Sequence, residues 1–292
     1  MHILVVGLSS LQLDAFFAAA RALNFSQAAE QLHITQSALS QRIKALEDDL
    51  GLTLFTRLPR GVQLTEAGAR MLKYCQARAS MEEELVEQLT GKEEGLGGIL
   101  RIAGYSSVVR SVVIPALAPL LRDNPNIQAH IQSAELRELP ELLLTGNVDL
   151  IVTDTPIHRA DIETVELGEE EYVMCQSAKG GGAERYLDHD PNDTTTHRFF
   201  AAQRNTRVEE YKRGFLDETY ALIDGVAAGL GKAVLSRHLI ARDKRIEVVG
   251  KLKSMRAKVL LQHHKHPHYT NLHTAAVTVL AAKCPGLLET SD

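Results

Sequence analysis

Phe25–Gly51 reads FSQAAEQLHITQSALSQRIKALEDDLG, and this stretch decides how the N-terminal part of the chain folds. Ser26 can cap a short helix whose apolar positions are Ala28, Ala29 and Leu32, and the two small alanines let a second helix cross closely. His33–Ile34 supplies the turn, and Thr35 is placed to cap the next helix. On that second helix Leu39, Ile43, Leu46 and Leu50 recur at spacings of four, three and four, so they share one face. At about 100° per residue, Ser37, Ser40, Gln41 and Lys44 fall on the opposite face, with Gln36 and Arg42 on its flanks. Short hydroxyls, amides and cations suit the major groove: Gln can bridge adenine, Ser can donate or accept, and Arg or Lys can take guanine or phosphate. The plainer alternative is an amphipathic helix with a solvated face. Against it stand the lack of acid on this face before Glu47 and the short capped helix just ahead.

The next segment, LTLFTRLPRGVQLT, reads as a small wing: Leu52 and Leu54 face Val62 and Leu64 across a Pro59-Arg60-Gly61 turn, with Arg57 and Arg60 free to reach backbone phosphate or the minor groove. Residues 1–66 hold five Lys/Arg (Arg21, Arg42, Lys44, Arg57, Arg60) against six acids (Asp14, Glu30, Glu47, Asp48, Asp49, Glu66), so any DNA contact must come from local placement rather than bulk charge. Residues 65–92 read as one long helix, in which Leu72, Ala79 and Val86 lie seven apart with Cys75 and Leu89 between them, a short heptad pattern suited to pairing with a second chain. Packing of that helix on its own domain is the alternative. GLGG at Gly95–Gly98 breaks the helical signal.

Leu11–Gly68, with FSQAAEQLHITQSALSQRIKALEDDLGLTLFTR and LTEAG, resembles the DNA-binding domain of LysR-type transcriptional regulators. The resemblance implies that Gln36, Ser37, Ser40, Gln41 and Arg57 touch DNA; Arg42, Lys44 and Arg60 join them from helix geometry and the wing. It also implies a linker helix that dimerises, and a dimer or dimer of dimers (a homotetramer) on an interrupted near-palindrome of double-stranded DNA. Two half-sites multiply the modest specificity of one recognition helix.

From Ile99 the texture changes to short apolar strands alternating with helices. ILRIAG, IQAHIQSA and VDLIVTD read as strands with helices at Ser106–Leu121 and LRELPELLLTG between them, an order that predicts a parallel, doubly wound sheet. EYVMCQS, HRFFAA, a helix near Thr219–Ala228 and KAVLS repeat the texture, before AKVLLQHH and a last helix from Asn271 to Lys283. Two α/β halves joined by crossing strands resemble the periplasmic-binding-protein-like effector domain of the same family. The expected fold is therefore α/β with an α-rich N-terminal domain: a winged helix-turn-helix over 1–67, a linker helix and hinge over 68–95, and an effector domain over 96–292. Its lobe I takes 99–168 and 258–292, and its lobe II takes 169–257. Ligands of open α/β sheets sit at strand carboxyl ends, which marks Tyr105, Ser106, Ser107, Glu135, Asp154 and Thr219 as effector contacts, with helix capping or surface polarity as the alternative for each. Glu135, Asp154 and the run Glu169-Glu170-Glu171 suggest an acidic cleft for a cationic metabolite, and QSALSQRIKALE and PALAPLL resemble the arginine- and lysine-responsive branch. A carboxylate on Ser106 and Ser107 is the competing choice.

Composition narrows the remaining classes. The 292 residues carry 45% hydrophobic and 24% charged residues and a net charge of -5, an ordinary globular balance sufficient for two domains. MHILVVGL is too brief and too poor in cations for a leader, and no run approaches a membrane span. Cys75, Cys175 and Cys284 are widely scattered, which argues against a disulfide scaffold and for a reducing, cytoplasmic setting, although Cys75 on the long helix could still react. His263, His264, His266, His268 and His273 crowd one segment, but with no Cys or carboxylate among them a solvated loop is expected rather than a metal site. Gly225, Gly229, Gly231 and Lys232 fail the phosphate-loop spacing, and GYSSV misses the nucleophile-elbow glycine, so neither a cofactor nor an enzyme is expected. A metal- or redox-responsive regulator of the same fold, or a solute-binding protein, are the alternatives.

Overall fold

Three short helices build the N-terminal head in the computed structural model, which describes residues 7–59, 61–90, 96–180, 182–203, 211–250, 252–265 and 269–289. Helix α1 (Ser10–Ala22) buries Ala15, Phe16, Ala19 and Ala20 completely. The cap of α2 (Phe25–Gln31) is Asn24 rather than Ser26: its side chain accepts from the Ser26 and Gln27 amides. Asn24 holds the extended backbone an N-cap needs, whereas Ser26 is already inside the first turn. Thr35 caps α3 (Gln36–Leu50) as expected, accepting from Ala38 N at 3.2 Å. Leu39, Ile43 and Leu46 are buried, and Leu50 packs at the edge of the same core.

The wing is a two-stranded antiparallel ribbon of β1 (Phe55–Arg57) and β2 (Val62–Leu64). Glu47 ties it to α3, because its Oε1 accepts from Leu54 N at 2.6 Å and Phe55 N at 3.3 Å. The long helix α4 (Glu66–Thr90) follows, with Thr65 Oγ1 accepting from Gly68 N. Leu72 and Cys75 are sealed into the head's own core and so are not available as a pairing seam; among the described residues the large apolar side chains that α4 leaves exposed are Tyr74, Met81, Leu85 and Val86. The Leu89 side chain lies outside the described residues.

Strand β3 (Gly98–Gly104) opens the effector domain and leads into a rod made of α5 (Ser106–Val108), a π-turn (Val109–Val113) and α6 (Ile114–Asp123). Then come β4 (Ile127–Ser133), α7 (Leu139–Leu144) and β5 (Leu150–Thr153). These three strands are parallel, with β3 between β4 and β5. The expected parallel sheet ends there. The connection from Thr153 to Ile162 has no helix to carry a parallel crossover, and β6 (Ile162–Ser177) is a sixteen-residue strand paired antiparallel. Lobe II adds β7 (Tyr186–Asp188), α8 (Thr195–Ala201), β8 (Arg213–Phe215), α9 (Thr219–Ala227), β9 (Ala233–Ser236), α10 (Arg237–Ile240) and β10 (Ile246–Val248). The chain returns through β11 (Met255–His264) and closes with α11 (Asn271–Leu288). The result is a mixed seven-stranded sheet, β10-β6-β11-β5-β3-β4, with β9 also on β6. Strand β6 serves both lobes: its first part pairs with β11, and from Tyr172 onward it pairs with β9 and then β10. Each lobe has its own apolar core, one around Ile102, Val112, Leu261 and Leu280, the other around Val173, Leu187, Val226 and Leu235.

One glycine makes a sharp test of the head. A Cβ on Gly68 would meet the Leu54 carbonyl oxygen at 2.1 Å, a backbone contact that no rotamer change relieves. Gly→Ala inside a helix ordinarily gains up to about 1 kcal/mol, but Gly68→Ala is expected to lower the head's melting temperature, read by circular dichroism.

Candidate functional site

Ser40, Gln41 and Lys44 of α3 and Arg57 of β1 line one groove of about 750 Å³ between helix and wing, floored by Phe25 and Phe55. Helical spacing aligns the first three, and Arg57 lines the same groove from the wing, where it pairs with Val62 in the ribbon. Glu47 also lines this groove, but its Oε1 is occupied by two wing amides. Gln36 and Ser37 are exposed at the start of α3, where Ser37 Oγ lies 3.0 Å from Thr35 Oγ1, and Arg42 is half-buried on the flank. Arg60 lies outside the described residues.

At the junction of the lobes sits a carboxylate with no solvent exposure, Glu170. Five side chains converge on it. Tyr105 Oη and Ser107 Oγ donate from lobe I at 2.9 and 3.3 Å, and Tyr172 Oη donates from β6 itself at 2.8 Å. From lobe II, Ser236 Oγ donates and His238 Nε2 lies at 2.9 Å. The other imidazole nitrogen meets Ser111 Oγ at 2.8 Å, which returns the network to lobe I. Burial acts to raise the carboxyl's pKa, but the bonds from His238, Ser236 and Tyr172 prevail and hold it below its ordinary value. Burial, and then the Glu170 charge, push the Tyr105 and Tyr172 phenols well up, which keeps both as donors. Beside this hub Ser106 Oγ and Thr219 Oγ1 meet across the lobes at 2.8 Å, and the Arg110 guanidinium lies 3.6 Å from the centre of the Tyr220 ring.

A cavity of about 540 Å³ is lined by Asp154, Thr155, Thr164, Glu166, Arg198 and Lys258, with Pro156, Ala257 and Leu260. Its charges are arranged as two pairs. Asp154, following β5, lies 4.0 Å from Arg198 Nη1 on α8 of the other lobe, and Glu166 lies 2.7 Å from Lys258 Nζ. The lining is thus of mixed sign, not the acidic cleft expected from the carboxylate count. The description "bacterial regulatory helix-turn-helix protein, lysR family" matches residues 11–69, and "LysR substrate binding domain" matches residues 93–285. The chain belongs to the LysR family. Among curated relatives of this LysR-type regulator, the probable HTH-type transcriptional regulator LrrA of Synechococcus elongatus is 30% identical over 240 residues, covering 77% of this chain and 80% of the relative. The solved structure of ArgP from Mycobacterium tuberculosis superposes with a TM-score of 0.72 at 20% identity, covering 97% of this chain and 98% of that one. Full-length LysG from Corynebacterium glutamicum with bound effector Arg gives 0.71 at 19% identity, covering 94% and 97%.

Within this LysR-type regulator the expected effector residues separate. Tyr105, Ser107, Ser106 and Thr219 knit the lobes together, Asp154 lines the cavity, and Glu135 is exposed at the turn into α7. Arg198, Lys258, Tyr172, Ser236 and His238 were not anticipated. Alternation along β6 offered one signal: Glu170 and Tyr172 share a face, while Glu169 and Glu171 point away to Arg256 and Arg237. His263 and His264 are buried at the end of β11 rather than in a solvated loop. His264 Nε2 meets Leu143 O at 3.1 Å, and the His263 ring packs edge-on against His273. His266 and His268 lie outside the described residues, and among those described no three metal-capable side chains cluster. All three cysteines are buried, and burial pushes each thiol up to about 12, Cys75 included. Among the described residues no helix is long and apolar enough to cross a membrane.

Because Glu170 titrates lower folded than unfolded, its contribution is complete above the unfolded carboxylate's pKa and is lost as pH falls through the folded one. Glu170→Gln is expected to destabilise the effector domain at neutral pH by about 1–3 kcal/mol, since the amide that replaces the carboxylate turns an N–H donor toward the hydroxyls that now donate to it. It should also flatten the acid side of the stability–pH curve; urea unfolding at a series of pH values measures both.

Proposed function

We propose that this LysR-type regulator binds a small molecule bearing both an acidic and a basic group between its two lobes, and that binding changes how its heads engage DNA. The observation that carries this reading is the cavity in which Asp154 and Arg198 face each other from opposite lobes. A ligand with one charge would take one partner and leave the other without a counter-charge in a half-enclosed site. A ligand with both signs replaces the pair. An amino acid does so, and arginine, the effector bound in the LysG structure, is one such ligand. The rival reading, a carboxylate on Ser106 and Ser107, is weakened because Ser106 already bonds Thr219 and Ser107 faces a carboxylate.

On the DNA side, Gln36, Ser37, Ser40, Gln41, Arg42 and Lys44 read the major groove while Arg57 and Arg60 hold the wing on phosphate or minor groove. The domains divide as 1–67, 68–95 and 96–292, and a dimer or dimer of dimers in the cytoplasm binds an interrupted near-palindrome. No covalent step occurs: effector and DNA affinities are linked, so each ligand changes the other's affinity by the same factor.

Arginine at about a hundred times its dissociation constant should stabilise the full chain by roughly 2.7 kcal/mol. Asp154→Asn and Arg198→Gln should each abolish that shift in a thermal melt, while benzoate and butylamine alone should give none; equal shifts with a one-charge ligand would sink the zwitterion reading. For DNA, Ser40→Ala combined with Arg57→Ala should remove protection of a fragment selected from a random library by the unmodified chain, with the melting curve unchanged. A surviving footprint would move the recognition face elsewhere.

A further inference from the structure

The head and the effector domain of the same chain also touch, and the contact is specific. Lys73 Nζ of α4 lies 2.6 Å from Asp161 Oδ2, just ahead of β6. Arg159 also bonds Asp161, through Nε at 3.0 Å. At the C-terminal end of α1, Arg21 is read twice by Asn147: its Nε donates to Oδ1 at 3.3 Å, and its carbonyl accepts from Nδ2 at 3.2 Å. Asn147 is itself braced by Thr145 Oγ1 at 2.9 Å. Between the two contacts Gly146 takes φ +71°, and the Gln76 side chain of α4 lies against it, with Nε2 2.1 Å from where a Cβ would stand.

We infer that this face of lobe I is a docking surface for the chain's own head, a latch whose position is set by the two strands that line the cavity. The charge complementarity lies at Lys73 of the head side and Asp161 of lobe I, whereas Arg21, which has both Arg101 and Asp149 of lobe I nearby, is held by the neutral Asn147 amide. Both lobe I anchors sit just ahead of strands. Asn147 lies three residues before the start of β5, which ends beside Asp154 of the cavity; Asp161 precedes β6, whose Thr164 and Glu166 line the same cavity. A sheet strand packed on both sides moves as a stiff unit, so a ligand that shifts the cavity ends of β5 and β6 shifts the latch. The other side of the latch reaches the wing. Two residues beyond Arg21, the Leu23 carbonyl accepts from Val62 N at 3.1 Å, so the latched head has its wing root fixed relative to lobe I. The latch stands independently of which molecule fills the cavity.

Carbodiimide coupling joins an amine and a carboxylate only when they are in contact, so the full-length chain should yield a Lys73–Asp161 cross-link by mass spectrometry. In a mixture of normal and nitrogen-15-labelled chains, that link should form within one isotope. Its absence, or mixed-isotope links, would overturn the latch. A double-mutant cycle supplies the second reading. Lys73→Met and Asp161→Asn should each speed hydrogen exchange at the 145–149 amides and change affinity for the selected DNA fragment severalfold, and the double variant should do no more than either alone. Additive effects would mean that the two residues act separately and would overturn it as well.

Discussion

A carboxylate removed entirely from water is tolerated only where donors surround it. Glu170 meets that condition by drawing on both lobes at once: Tyr105 and Ser107 from one, Ser236 and His238 from the other, with Tyr172 on the shared strand. No single lobe could satisfy it. The relative placement of the lobes is therefore constrained by chemistry rather than by apolar packing, since each lobe has a separate core. The Ser106–Thr219 bond and the Arg110–Tyr220 stack lie on the same boundary, and the cavity between Asp154 and Arg198 opens beside it. An effector that changes lobe closure must work against this hub.

The head and the hub differ in how their charges are arranged. In the head, Lys44 and Arg57 border a groove with small polar side chains, and the nearby Glu47 is turned into the wing by two backbone amides. The exposed Asp48 lines the same groove, so the cations do not stand alone there. In the effector domain the charges are paired with each other across the cavity, which sets what a ligand must bring.

Much of the head was legible because its determinants are local. The caps, the spacing of Leu39, Ile43 and Leu46 and the wing turn all act within a few residues, and an error such as Ser26 for Asn24 displaces a helix start by only two positions. The heptad reading of α4 loses two of its members for a non-local reason: Leu72 and Cys75 face α1 and the wing, and their own domain consumes them, whereas Val86 stays exposed. The same limit governs the sheet. Alternating strands and helices do predict the parallel set β4-β3-β5, but β6 and β11 pair across ninety residues of sequence, and nothing local records that partnership. Asp154 was legible as a strand-end residue, whereas Arg198 reaches the cavity from a helix of the other lobe and carries no signal of its own. The run Glu169-Glu170-Glu171 looked like one acidic patch, yet the pleat sends its middle member inward and the other two out.

The path of the chain has a consequence for its synthesis. Lobe II is an excursion between β6 and β11, and β11 lies in the interior of the finished sheet, between β5 and β6. On the ribosome, the head can complete its core as soon as α4 emerges, because its partners are all early in the chain. Lobe I must wait: its central strand and the α11 residues Leu272, Ala276 and Leu280 that seal its core are translated last. For most of its synthesis the nascent regulator is thus a finished DNA-binding module tethered to an open half-sheet, whose unpaired β5 and β6 edges are the part of the molecule that most needs shielding from other chains.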